Sequence, residues 1–103
     1  MGLELRPNCE LCDKDLPPES SEACICTYEC TFCSSCVETV LHNTCPNCGG
    51  GFSPRPIRPK IERRSGVSLS YQPASTKRVK TSYTINEIKE FINTVKDIKP
   101  EHR

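Results

Sequence analysis

Nine of the 103 residues are cysteine, and eight of them fall into four ordered pairs: Cys9/Cys12, Cys26/Cys30, Cys33/Cys36 and Cys45/Cys48. Spacers of two or three residues let the chain turn tightly enough for both sulfurs of a pair to face one ion. Eight thiolates make two tetrahedral sites. Zinc suits such sites because a d10 ion imposes no geometry of its own, and a single iron in four thiolates is the alternative. In CPNCGG, Pro46 stiffens the last turn and Gly49 lets the backbone fold around the metal. Cys24 is left over.

The stretch CTYECTFCSSC carries Cys26, Cys30, Cys33 and Cys36 within residues 26–36. They serve one site or are shared between two. A sequential grouping joins Cys9/Cys12 to Cys26/Cys30 and Cys33/Cys36 to Cys45/Cys48, as in LIM domains. LIM domains, however, place about twice as many residues between their third and fourth pairs. Interleaving is the favoured expectation: Cys9, Cys12, Cys33 and Cys36 hold the first zinc, and Cys26, Cys30, Cys45 and Cys48 hold the second.

A closed four-thiolate site has no open coordination position, so it activates no water and supports no hydrolysis. His42 and His102 are the only histidines, and His42 reads as a surface residue beside a ligand loop. Ser34 and Ser35 are better placed to donate to sulfur than to act as nucleophiles. The expectation is a protein that is not an enzyme. Cys24, two residues before a ligand, has three readings: a buried inert thiol, an alternate ligand, or a redox-sensing thiol whose oxidation releases zinc.

These ligands need elements to hold them, and the chain has little core to offer. Only 35% of residues are hydrophobic and Trp is absent, so a module of this size relies on staples. No apolar run suits a signal peptide or a membrane span, so a reducing cytoplasm is the expected setting, where paired cysteines more often hold metal than each other. The expected fold is a small metal-stabilised α+β module, with short strands and one short helix, followed by a C-terminal amphipathic helix. Leu3 and Leu5 suggest a first short strand. Residues 13–23 read as a surface loop, and Val37, Val40 and Leu41 share one face of a two-turn helix that the glycines at 49–51 stop.

Three regions follow: a two-zinc module over residues 1–52, a basic Pro-rich extended arm over 53–82, and a helix over 83–99. Within the arm, GVSLSYQ has the period-two pattern of a short strand. The helix opens on a capping box, Thr84 to Glu87. Ile85, Ile88, Phe91, Ile92, Val95 and Ile98 then form a stripe that something must cover. Its own module is the favoured cover. A partner, or a second copy of the chain, is the other.

The run C-x3-C-x2-C-x2-C-x8-C-P-x-C, preceded by Cys9-Glu10-Leu11-Cys12, resembles a RING-type cross-brace, related to treble-clef modules, with cysteine in place of the usual histidine. LELRPNCELC, ECTFCSSC, CPNCGG and YQPASTKRV resemble, more specifically, a small bacterial family of uncharacterised cysteine-rich proteins, a domain of unknown function. That likeness implies zinc binding and leaves Cys24 outside the shared pattern. Leu11 and Pro46 match positions where a RING engages a ubiquitin-conjugating enzyme. Gly49 stands where the basic linchpin of such a ligase is expected, which argues against ligase activity.

Charge divides the chain. Residues 1–50 carry two basic and eight acidic groups, and residues 51–103 carry twelve basic and five acidic groups. The leading expectation is a zinc-binding module that docks a protein partner, through Leu11, Leu41 and Pro46 or through the Ile85/Ile88/Ile92/Val95 stripe. The rival is nucleic-acid binding through Arg55, Arg58, Lys60, Arg63, Arg64, Lys77, Arg78 and Lys80, with Tyr71 and Tyr83 to stack on bases. A third reading folds the basic arm back onto the acidic module. A redox or zinc sensor built on Cys24 is the fourth.

Overall fold

The architecture grows from one short hairpin at residues 23–33. In the computed structural model, which describes residues 2–103, β1 (Ala23–Ile25) pairs antiparallel with β2 (Thr31–Cys33), with Ala23 opposite Cys33 and Ile25 opposite Thr31. On its other edge β1 pairs with β3 (Ser53–Pro54), giving the order β2-β1-β3. Every β2 residue is buried. Phe32 is fully enclosed and meets Phe52 edge to face, with centroids 5.4 Å apart.

Helix α1 (Ser34–Cys36) starts directly at the end of β2 and continues as a π-helical stretch, Val37–Leu41. The expected short helix is therefore present, but the glycines do not stop it. His42 and Asn43 do, both in left-handed conformation with φ of 48° and 58°. The His42 amide caps the Val37 carbonyl.

Helix α2 (Ile85–Val95) opens on the expected capping box, the Thr84 hydroxyl accepting from the Glu87 amide and the Glu87 carboxylate from the Thr84 amide. Ile88 and Ile92 are buried in the same core as Leu16, Phe32, Val37 and Leu41. The stripe is thus covered in part by its own module, through Ile88 and Ile92. Ile85, Phe91 and Ile98 remain exposed. Leu41 and Pro46, expected on a docking face, are buried, as are Ile88 and Ile92. Leu11 and Val95 are half-buried.

Three local expectations give way to packing. Residues 3–5 form no strand, because Leu5 is buried while its carbonyl bonds the Ser75 amide at 3.0 Å, a contact from the far end of the chain. Residues 66–72 form turns instead of a strand, with the Tyr71 and Gln72 amides bonding back to Ser68. The arm between 53 and 82 does not stand free of the module. Arg58 donates to the Leu3 carbonyl, Asn8 and Val79 exchange two hydrogen bonds of 2.8 and 3.1 Å, and Arg78 pairs with Asp13 and Asp15. Opposite charge and open carbonyls on the first half draw the arm back.

Arg55 shows why counting charge misplaced part of this arm. Only 4% exposed, it donates to the carbonyls of Arg6, Leu16 and Pro17. No carboxylate faces it, its Nε finds no acceptor, and burial lowers its pKa. It pins the start of the arm to the loop at 16–17. Arg55 and Arg58 therefore point inward, away from any nucleic acid, and Arg78 is engaged by two aspartates. Among the described residues no helix is long and apolar enough to cross a membrane.

Candidate metal centre

Two cysteine groups emerge, and they interleave along the chain. The sulfurs of Cys9, Cys12, Cys33 and Cys36 all lie within 4.8 Å of one another. Cys9 and Cys12 sit on a tight N-terminal turn, in which the Asp13 amide bonds the Cys9 carbonyl at 2.9 Å and Asp13 takes a φ of 65°. Cys33 ends β2 and Cys36 closes the first turn of α1. The strand-to-helix junction thus supplies one half of the group and the turn supplies the other.

The second group contains Cys26, Cys45 and Cys48. Cys26 follows β1 in a turn closed by Glu29, which has a φ of 65°. Cys45 and Cys48 sit on a turn where the Gly49 amide reaches the Cys45 carbonyl at 2.7 Å and the Cys45 amide reaches Gly50 at 2.8 Å. Gly49 has a φ of 83°, as the sequence suggested. Cys30 directly precedes β2 and is buried, and burial raises its pKa, with Asn47 opposing the rise and Cys26 adding to it. It does not complete a four-sulfur set within 4.8 Å.

Two observations fit these groups to a metal. First, the Cys12 and Cys33 sulfurs are 3.7 Å apart and all nine cysteines are free. That separation is far beyond a disulfide of about 2.05 Å, and it matches the edge of about 3.8 Å of a tetrahedron with sulfurs about 2.3 Å from its centre. Second, the backbone aims donors at sulfur: the amides of Cys12, Tyr28 and Gly50 point to Cys9, Cys26 and Cys48 at 3.5, 3.3 and 3.4 Å. Such donors favour the thiolate. The sulfur-directed donors are backbone amides, not the Ser34 and Ser35 hydroxyls.

Without a cation, Cys36 and Cys45 resist ionising. Burial pushes Cys36 and Cys45 up strongly, and neighbouring thiols add to the rise. Burial also raises Cys30 and Cys24. A divalent cation would supply the missing positive charge. Cys24 belongs to neither group; it lies half-buried in β1, opposite Phe32 and Pro54.

Sequence reasoning missed the residues that tie the two groups together. Glu10, between Cys9 and Cys12, is 2% exposed. Its carboxylate accepts from Arg6 at 2.8 Å, from the Thr31 amide at 2.5 Å and from the Asn47 side chain at 3.4 Å. Burial alone would lower the Arg6 pKa, but its bonds to Glu10 and Glu4 leave it raised. The four-residue step from Arg6 to Glu10 was the available signal. The Asn47 partnership, spanning 37 positions, left none.

Residues 2–58 match the family described as "Protein of unknown function (DUF1272)". A relative from Rhizobium meliloti (strain 1021), "Uncharacterized protein R02474", is 58% identical over 77 residues, which cover 75% of this chain and 84% of the relative. No solved structure matches. The resemblance read from LELRPNCELC, ECTFCSSC and CPNCGG is borne out on both counts: the chain belongs to the DUF1272 family, a cysteine-rich domain of unknown function.

Proposed function

We propose that the protein is a non-enzymatic, cytoplasmic zinc-binding protein whose two metal sites form the core of a protein-interaction or regulatory module. Cys9, Cys12, Cys33 and Cys36 hold one zinc. Cys26, Cys30, Cys45 and Cys48 hold the other, with the Cys30 sulfur moving in to join the remaining three as the site fills. The observation that carries this reading is the first group, whose four free sulfurs gather within 4.8 Å with one edge already at 3.7 Å. Zinc fits the all-sulfur donor set, and no ligand position is left for substrate. The interaction role is supported by the apolar side chains still on the surface, Tyr28, Ile85 and Phe91 among them.

Elemental analysis of protein purified under reducing conditions tests the reading. Two zinc per chain are expected, falling to one or fewer when Cys9 and Cys12 are both changed to Ser. A wild-type protein without zinc, or with iron in its place, overturns it.

Nucleic-acid binding remains the second reading, supported by Lys60, Arg63, Arg64, Lys77 and Lys80, which are exposed and make no ion pair among the described residues. Five phosphate contacts would give strongly salt-dependent affinity. A gel shift on random DNA and RNA at low salt decides it, absence of binding there ending the idea.

A further inference from the structure

Glu10 occupies an unusual place for a charge. It lies inside the turn that carries Cys9 and Cys12, yet its side chain belongs to the other group's surroundings. Thr31, whose amide it accepts at 2.5 Å, directly follows Cys30. Asn47, whose side chain donates to it at 3.4 Å, lies between Cys45 and Cys48. The main chain of Glu10 repeats the link, its amide bonding the Thr31 carbonyl at 2.9 Å. Thr81 closes the far side, its amide donating to the Glu10 carbonyl and its hydroxyl to Asn47, both at 2.9 Å.

A carboxylate this deeply buried is tolerated only while its hydrogen bonds are made. Arg6 supplies its counter-charge, and the remaining donors come from the chain around the second group. Closing the Cys9/Cys12 turn on a metal places Glu10 where it fixes the Thr31 amide and the Asn47 side chain. Opening either turn strands the charge. If each group has a closed and an open state, the shared carboxylate makes each state favour the matching state of its neighbour, which is the condition for a coupling free energy between sites.

We propose that Glu10 couples the two cysteine groups, so that metal in one raises the affinity of the other and the protein loads in pairs. The coupling rests on the metal-site reading above, and it adds to whatever linkage the shared segment 26–36 supplies. Asn47 is the exposed end of the strut and can be altered with little disturbance to packing.

Native mass spectrometry of reduced, metal-free protein during titration with zinc alone tests the proposal. At half loading, two equal and independent sites put about half of the molecules in the one-zinc form, whereas coupling of about tenfold or more holds that form well below it. Wild type is expected to pass from zero to two zinc with little one-zinc protein. Asn47→Ala and Glu10→Gln are each made, in case the buried change prevents folding. Asn47→Ala should raise the one-zinc fraction towards one half while still reaching two zinc. Thr84→Ala, which weakens α2 without touching either turn, should leave the wild-type distribution. A one-zinc form at half or more in wild type, or an unchanged distribution in Asn47→Ala, overturns the coupling. Failure to bind zinc at any ratio overturns instead the metal-site reading on which it rests.

Discussion

At the scale of single residues, the cysteines were legible and the charges were not. A Cys-x2-Cys spacing states its chemistry locally, because both ligands must reach one ion across a single turn. An arginine in a Pro-rich arm carries no such mark. Arg55 looked like a phosphate contact and is instead a buried pin on three carbonyls. Arg55→Ala should cost about 2–4 kcal/mol in denaturant unfolding of the metal-loaded protein, since it unsatisfies carbonyls and opens a cavity. Arg78→Ala, whose partners Asp13 and Asp15 are solvent-exposed, should lower stability far less than Arg55→Ala. Cys24→Ser should leave the zinc content at its wild-type value. The same change at Cys26 or Cys33 should lower it and loosen both sites, because these cysteines lie on the hairpin that the two groups share.

Among elements, α2 was the most legible. Its capping box and its stripe are short-range patterns, and both appear in place. Thr84→Ala should lower stability by about 1 kcal/mol through the lost cap, and Ile92→Ala by about 2–5 kcal/mol through the cavity left in the shared core. The cap also has a pH signature. The hydrogen bond from the Thr84 amide, with the Thr84 side chain as a second contribution, holds the exposed Glu87 carboxyl below its ordinary value of 4.5. A depressed folded pKa contributes stability that is present above the unfolded value and lost as pH falls through the folded one. In an NMR titration the Glu87 midpoint should lie below 4.5 in wild type and move up in Thr84→Ala. The strands at 3–5 and 66–72 were misread for one reason. Two or three alternating apolar residues fit any half-buried segment, and here Leu5 and Leu69 are held by single backbone bonds, to Ser75 and Pro59, with no sheet beside them.

For the molecule as a whole, the sequence indicated two cysteine groups and their interleaving but not the way the second half closes over the first. That closure depends on pairs far apart in the chain, such as Asn8 with Val79 and Glu10 with Asn47. No local pattern encodes them. The resulting picture is a three-stranded sheet of two- and three-residue strands, far too little hydrogen-bonded structure to stand alone, knitted to α1 and α2 around two groups of thiols. Structural zinc contributes an apparent 10–16 kcal/mol or so per site in small peptides, more than a domain of this size nets from its core. Removal of metal by a chelator should therefore abolish the cooperative unfolding transition, and its near-ultraviolet and NMR signatures of packing, in one step.

The most direct test combines alkylation with native mass spectrometry on reduced, folded protein. Two zinc ions per chain, with one thiol open to alkylation and that thiol mapped to Cys24, are the predicted result. A chain without metal, holding its cysteines in disulfides or leaving all nine open to the reagent, would contradict the account at its root.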